Sequence, residues 1–131
     1  MNLVGTSGWI EYFFGGENAS CFAKPIEDTD HPIVPMVCLY EVFRKVHQGA
    51  AEARALQAIA QMKQGRVVEA SEEISLRAAL VSLRHKLPMA DSLIYATGQL
   101  KGTEVWTQDV DFQNLPGVRY KAQPAHGPGK R

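Results

Sequence analysis

Apolar residues along this chain fall into two kinds of run. Five short ones, at residues 2–4, 33–34, 66–68, 104–106 and 118–120, are too brief for helices and predict strands. Between them the apolar positions recur at helical spacing. Leu39, Val42, Phe43 and Val46 stand at i, i+3, i+4 and i+7 behind Pro35, which suits a first helical turn because its missing N–H has no partner there anyway. That helix should end near Gly49. Residues 51–64 are rich in Ala, Leu, Gln and Glu, with Leu56, Ile59, Ala60 and Met62 as the apolar positions and Gly65 as the stop. Ser71 caps the next helix, whose first turn holds Glu72 and Glu73 and whose last holds Arg84, His85 and Lys86, matching the helix dipole at both ends. Pro88 opens a further helix that runs to Lys101 and stops at Gly102, with Met89, Ala90, Leu93, Ile94, Thr97 and Leu100 as its packed stripe. Near the start, residues 8–14 and 18–24 predict two shorter helices around Gly15 and Gly16.

Strands alternating with helices imply a mostly parallel sheet of four to five short strands covered on both faces, because parallel neighbours need long crossovers. The class is α/β, in three layers. A site in such a sheet lies beyond the carboxyl ends of the strands, here around Gly5 and around residues 107–111. One domain is expected over residues 1–120, followed by a Pro- and Gly-rich tail at 121–131 expected to be flexible.

Charge and composition narrow the partners. Fourteen basic and fourteen acidic residues cancel, so the overall field draws neither nucleic acid nor membrane, and recognition of either must be local. At 131 residues the chain can bury roughly 68% of its unfolded surface and needs no staples. Cys21 and Cys38 sit in apolar surroundings without a CxxC pair, which predicts buried, reduced thiols in a cytoplasmic protein. No apolar run reaches a membrane span, and no leader pattern opens the chain.

The stretch Gly5-Thr6-Ser7-Gly8 invites three readings and fails two of them. It is neither a Walker loop nor GxGxxG, and its second glycine falls one place early for a nucleophile elbow. His31, His47, His85 and His126 lack ligand spacing and read as surface residues. Trp9, Tyr12, Phe13 and Phe14 form an aromatic patch, better suited to core or subunit contact than to base stacking. The acids are more informative. Asp91 lies in the first turn of an apolar helix, Glu41 lies inside another, and Asp109 and Asp111 leave the strand at 104–106 in a loop. Taken singly, each has an ordinary explanation: a helix-end charge, a solvated pair with Arg44 or Lys45, turn-forming carboxylates. Together Glu41, Asp91 and Asp109 can converge on one sheet edge, and carboxylates without His or Cys suit a hard cation such as Mg²⁺ or Mn²⁺.

In order and spacing, LVGTSGWIEYF, CLYEVFRK, LPMADSLIYATG and WTQDVDF resemble the four signatures of PIN-domain ribonucleases, specifically the VapC-type toxins of bacterial toxin–antitoxin pairs. The resemblance covers about residues 1–120 and implies a PIN-like α/β/α sandwich acting on RNA, commonly transfer RNA. It implies Glu41, Asp91 and Asp109 as catalytic and metal-binding acids, Asp111 as an additional ligand, and Thr6 as the hydroxyl that helps hold the site. It further implies a Mg²⁺ or Mn²⁺ cofactor, a VapB-like antitoxin, DNA contact only through that antitoxin, and a homodimer. One position departs from the pattern. The first signature carries an Asp metal ligand, and here Gly5 occupies its place, which implies reduced or lost activity or, alternatively, an inactive PIN-fold binding protein.

Overall fold

The computed structural model describes residues 1–28 and 30–124. Its strands are β1 (Leu3–Val4), β2 (Ile33–Pro35), β3 (Arg66–Val68), β4 (Val105–Thr107) and β5 (Val118–Tyr120). The helices are α1 (Thr6–Phe14), α2 (Ala19–Ile26), α3 (Met36–Gly49), α4 (Glu52–Met62), α5 (Glu72–His85) and α6 (Met89–Lys101). Every pairing is parallel and the order is β3-β2-β1-β4-β5, so six helices flank one five-stranded sheet as an α/β sandwich. The expected class holds.

Chain direction across the sheet sets the location of the site. From β1 the chain steps outward through β2 to β3, then crosses back by α5 and α6 to β4 on β1's other side. The sheet therefore reverses its order between β1 and β4, where crevices open beyond the strand ends. Leu3 and Val4 pair with Val105 and Trp106 there, and the core of Leu3, Val4, Ile33, Val34 and Val105 beneath is fully or almost fully excluded from water.

Several local expectations shift for physical reasons. Helix α1 begins at Thr6 rather than at residue 8, placing Thr6 and Ser7 in its first turn with Gly5 as N-cap. Pro35 ends β2 and caps α3 instead of starting it. In α4 the buried face is Ala55, Ala58 and Met62, while Leu56 is 54% exposed, because α3 packs against the small-residue side. Met89, expected in the packed stripe of α6, is 76% exposed, and the buried run is Ser92 and residues 94–98. Helix α6 lies between α5, α3 and the sheet, which is why it is buried almost all round.

The aromatic patch divides. Trp9 is 1% exposed and stacks on Phe13 at 5.6 Å, whereas Phe14 is 46% exposed. Cys38 is buried, and burial pushes its thiol up to about 12; Cys21, expected to be buried too, is only half-buried. Ser71 caps α5 by accepting from Ile74 N at 3.1 Å, as its sequence predicts. Beyond β5, Lys121 N donates to Thr107 O at 2.9 Å, and residues 125–131 of the expected tail lie outside the described residues. No helix among the described residues is long and apolar enough to cross a membrane.

Candidate active site

Two strand ends and three helices build the site. Where β1 stops, Gly5 N still donates to Trp106 O at 2.9 Å, and Gly5 O then accepts from Gly8 N and Trp9 N to start α1. The turn is tight, but it does not require glycine. Gly5 has φ −74° and ψ 171°, extended backbone open to any residue. A Cβ there would meet Thr107 Cβ, Thr107 Oγ1 and Trp106 O at 3.7 Å, ordinary van der Waals contact.

Thr6 and Ser7 follow with defined partners. Thr6 Oγ1 donates to Glu41 Oε1 at 2.6 Å, a short charge-assisted bond joining α1 to α3. Ser7 Oγ shares a hydrogen bond with Thr107 Oγ1 at 3.0 Å and accepts from Gln108 N at 3.1 Å. Glu41 is thus bound to Thr6, and the alternative of a surface pair with Arg44 or Lys45 is not adopted, since the ion pair found among the described residues is Arg119–Glu104.

On the β4 side, Thr107 Oγ1 accepts from Asp109 N at 3.0 Å, and Asp109 Oδ1 accepts from Asp111 N at 2.9 Å, capping a 3-10 turn at Val110–Phe112. The turn folds Asp109 and Asp111 back towards the start of α6. Among the described residues, the metal-capable group whose ligand atoms all lie within 4.8 Å of one another is Asp91, Asp109 and Asp111. Glu41 lies outside that group but lines the same cavity, of about 380 Å³, with Gly5, Thr6, Asp91 and Asp109. Arg44 and Lys45 also line it.

Crowding shows in the electrostatics. Burial first, and then the charges of Asp109, Glu41 and Asp111, push the Asp91 carboxyl up to about 7. The free N–H groups of the α6 first turn favour the ionised form, yet burial and like charge outweigh them. A cation held among these oxygens would relieve that repulsion, and the all-oxygen donor set fits a hard divalent ion. The histidines do not join the group: His31 and His47 are exposed, His85 packs edge-on against Tyr95 at 6.0 Å, and His126 lies outside the described residues.

The sequence reading missed the neutral residues that hold this arrangement, namely Ser7, Gln108 and Asn18. Asn18 Nδ2 donates to Gln108 Oε1 at 2.9 Å, and Gln108 Nε2 donates to Glu11 Oε1 at 3.1 Å. Only the adjacency of Ser7 to Thr6, and of Gln108 to Asp109, pointed towards them.

Comparison with known proteins gives the scaffold its relatives. No curated protein sequence matches the chain significantly. Among solved structures, a toxin–antitoxin complex from Klebsiella pneumoniae superposes with a TM-score of 0.76 at 24% identity, covering 91% of this chain and 96% of that one. The sarcin–ricin loop cleaving toxin VapC20 of Mycobacterium tuberculosis gives 0.75 at 20% identity, with 90% and 97% covered. DNA-bound VapBC from Salmonella typhimurium gives 0.70 at 14%, with 93% and 98% covered. These likenesses show the fold, and the sequence pattern of the PIN domain matches residues 3–118. The chain belongs to the PIN domain family.

Proposed function

We propose that this chain is a VapC-type ribonuclease of a toxin–antitoxin pair whose catalytic site is weakened at one position. One observation carries the reading: Gly5 stands at the strand end beside the acids in a conformation, and with the room, that suits a larger residue. The site keeps its framework and lacks one carboxylate.

Asp91, Asp109 and Asp111 are the residues that would hold Mg²⁺ or Mn²⁺, with Glu41 as a direct or water-mediated fourth acid. When bound, the cation polarises a phosphodiester and lowers the pKa of water. Glu41, fixed by Thr6, would orient the attacking water and take its proton as that water adds in line to phosphorus; the bond to the 3′ oxygen breaks, and that oxygen takes a proton from solvent water. Arg44 and Lys45 at the cavity wall meet RNA phosphates. Without a carboxylate at position 5 the site offers a cation one oxygen ligand fewer and would hold it, and the attacking water, less firmly.

The similar structures support the RNA and antitoxin parts, since one similar protein cleaves the sarcin–ricin loop and two others are toxin–antitoxin assemblies. An apolar groove of about 690 Å³ on α3 and α4, lined by Leu39, Tyr40, Phe43, His47 and Ile59, suits a VapB-like antitoxin. Tyr40 and Arg44 line both groove and cavity, so a partner there reaches the acids. The reading includes a homodimer, DNA contact through the antitoxin alone, transfer RNA as substrate and the cytoplasm as its place.

Glycine at position 5 equally favours a second reading, a PIN-fold protein that binds antitoxin and RNA without cleaving. Cleavage of transfer RNA by the Gly5→Asp variant with Mn²⁺ separates the two. The weakened-nuclease reading expects a gain of roughly a hundredfold over the parent chain. A fully folded Gly5→Asp protein with no gain removes that explanation and leaves the binding protein.

A further inference from the structure

A closed polar circuit lies beside the acidic cavity. Asn18 is 5% exposed and Gln108 7%, and burying two amides is costly unless every group is bonded. Here they are. Asn18 N donates to Glu11 Oε2 at 2.9 Å, while its side-chain nitrogen serves both Gln108 Oε1 at 2.9 Å and Ala122 O at 3.0 Å. Gln108 Nε2 completes the ring on Glu11 Oε1 at 3.1 Å. Gly16 closes tightly over the same carboxylate, for a Cβ there would collide with it.

The circuit reaches further than the Asp109 loop. With Lys121 N on Thr107 O at 2.9 Å and Ala122 O on Asn18, the chain after β5 is fastened at two successive residues. The next residue, Gln123, lines the acidic cavity, its side chain exposed. A neutral amide beside these acids offers a donor and an acceptor without adding charge.

We infer that Asn18 is a positioning residue that seats residues 121–123 as a wall of the cavity, and that Gln123 in this wall hydrogen-bonds the RNA strand next to the scissile phosphate. The inference rests on the ribonuclease reading and adds a substrate contact to it. Asn18 acts on RNA only through Gln123, so their effects are not additive.

Binding of fluorescein-labelled, unfractionated transfer RNA by the full chain, read by anisotropy with Mn²⁺ present, tests this. Gln123→Ala is expected to weaken binding about fivefold, the worth of one hydrogen bond, with Mn²⁺ affinity and melting temperature unchanged. Asn18→Ala should weaken RNA binding equally, and the double variant no further. In Asn18→Ala the Lys121 amide, now less restrained, should exchange hydrogen roughly tenfold faster. Should Asn18→Ala fail to fold, Gln123→Ala still decides. Unchanged binding in Gln123→Ala beside a parent that binds RNA overturns this inference alone. No RNA binding by the parent overturns the ribonuclease reading, and the inference with it.

Discussion

Strands β1 and β4 run side by side and end at the same crevice, yet they deliver different chemistry. The β4 end passes through Thr107 and Gln108 into Asp109, a carboxylate whose backbone and side chain are each tied by a hydrogen bond. The β1 end passes through Gly5 into Thr6 and Ser7, whose hydroxyls are bonded to Glu41 and Thr107 respectively. One end has both framework and carboxylate; the other has the framework and, at Gly5, no side chain. A glycine can therefore stand at a strand end beside the acids without loosening it, because the surrounding bonds are made by neighbours.

The largest effect that would sharpen this contrast is the gain of cleavage in Gly5→Asp described above. Next comes the charge balance of the shared crevice. Asp91 titrates near 7 in the folded chain against an ordinary value of 3.8, so the native state holds a proton that the unfolded chain releases between those pH values. Stability without metal consequently falls as pH rises through that window. Asp91→Asn removes the dependence: in chelator its melting temperature should exceed the parent's at about pH 8 and match it near about pH 3.5. A variant that melts below the parent at about pH 8 would show that the acids do not repel one another in the native state.

A smaller effect tests the β1 end itself. Thr6→Val removes the bond to Glu41 and should cost about 1–2 kcal/mol by urea unfolding, while Ser7 and Thr107 keep the strands joined. The smallest belongs far from both ends: Ser71→Ala strips the α5 cap and should cost about 1 kcal/mol with no change in Mn²⁺ affinity. A change in Mn²⁺ affinity there would mean that the site depends on global stability rather than on its own bonds.

How much of this could be read from the sequence depended on the range of the interaction. The Ser71 cap was legible because capping is decided within a few residues, and the parallel sheet because helices must separate parallel strands. The buried side of α4 was misread: Ala55, Ala58, Ile59 and Met62 stand at i, i+3, i+4 and i+7, but the larger Leu56 drew the stripe away from the small residues that α3 packs against. At the site, Asp91, Asp109 and Asp111 do come together, and the family pattern flagged them. Glu41 was also flagged, but its bond to Thr6 draws together residues 35 positions apart. The circuit of Glu11, Asn18 and Gln108 was not legible, because its members meet only in the fold; the adjacency of Gln108 to Asp109 was its one local hint.

The central claim, that the framework at Gly5 is ready for a carboxylate, is tested most directly by Mn²⁺ affinity, read from the free-ion electron paramagnetic resonance signal. Parent, Gly5→Asp and Gly5→Asn are compared at equal pH, the Asn variant matching the Asp in size but not in charge. The predicted result is binding roughly tenfold tighter or more in Gly5→Asp, with Gly5→Asn close to the parent. Equal affinity in all three folded proteins, or an equal gain from Asp and Asn, would contradict it.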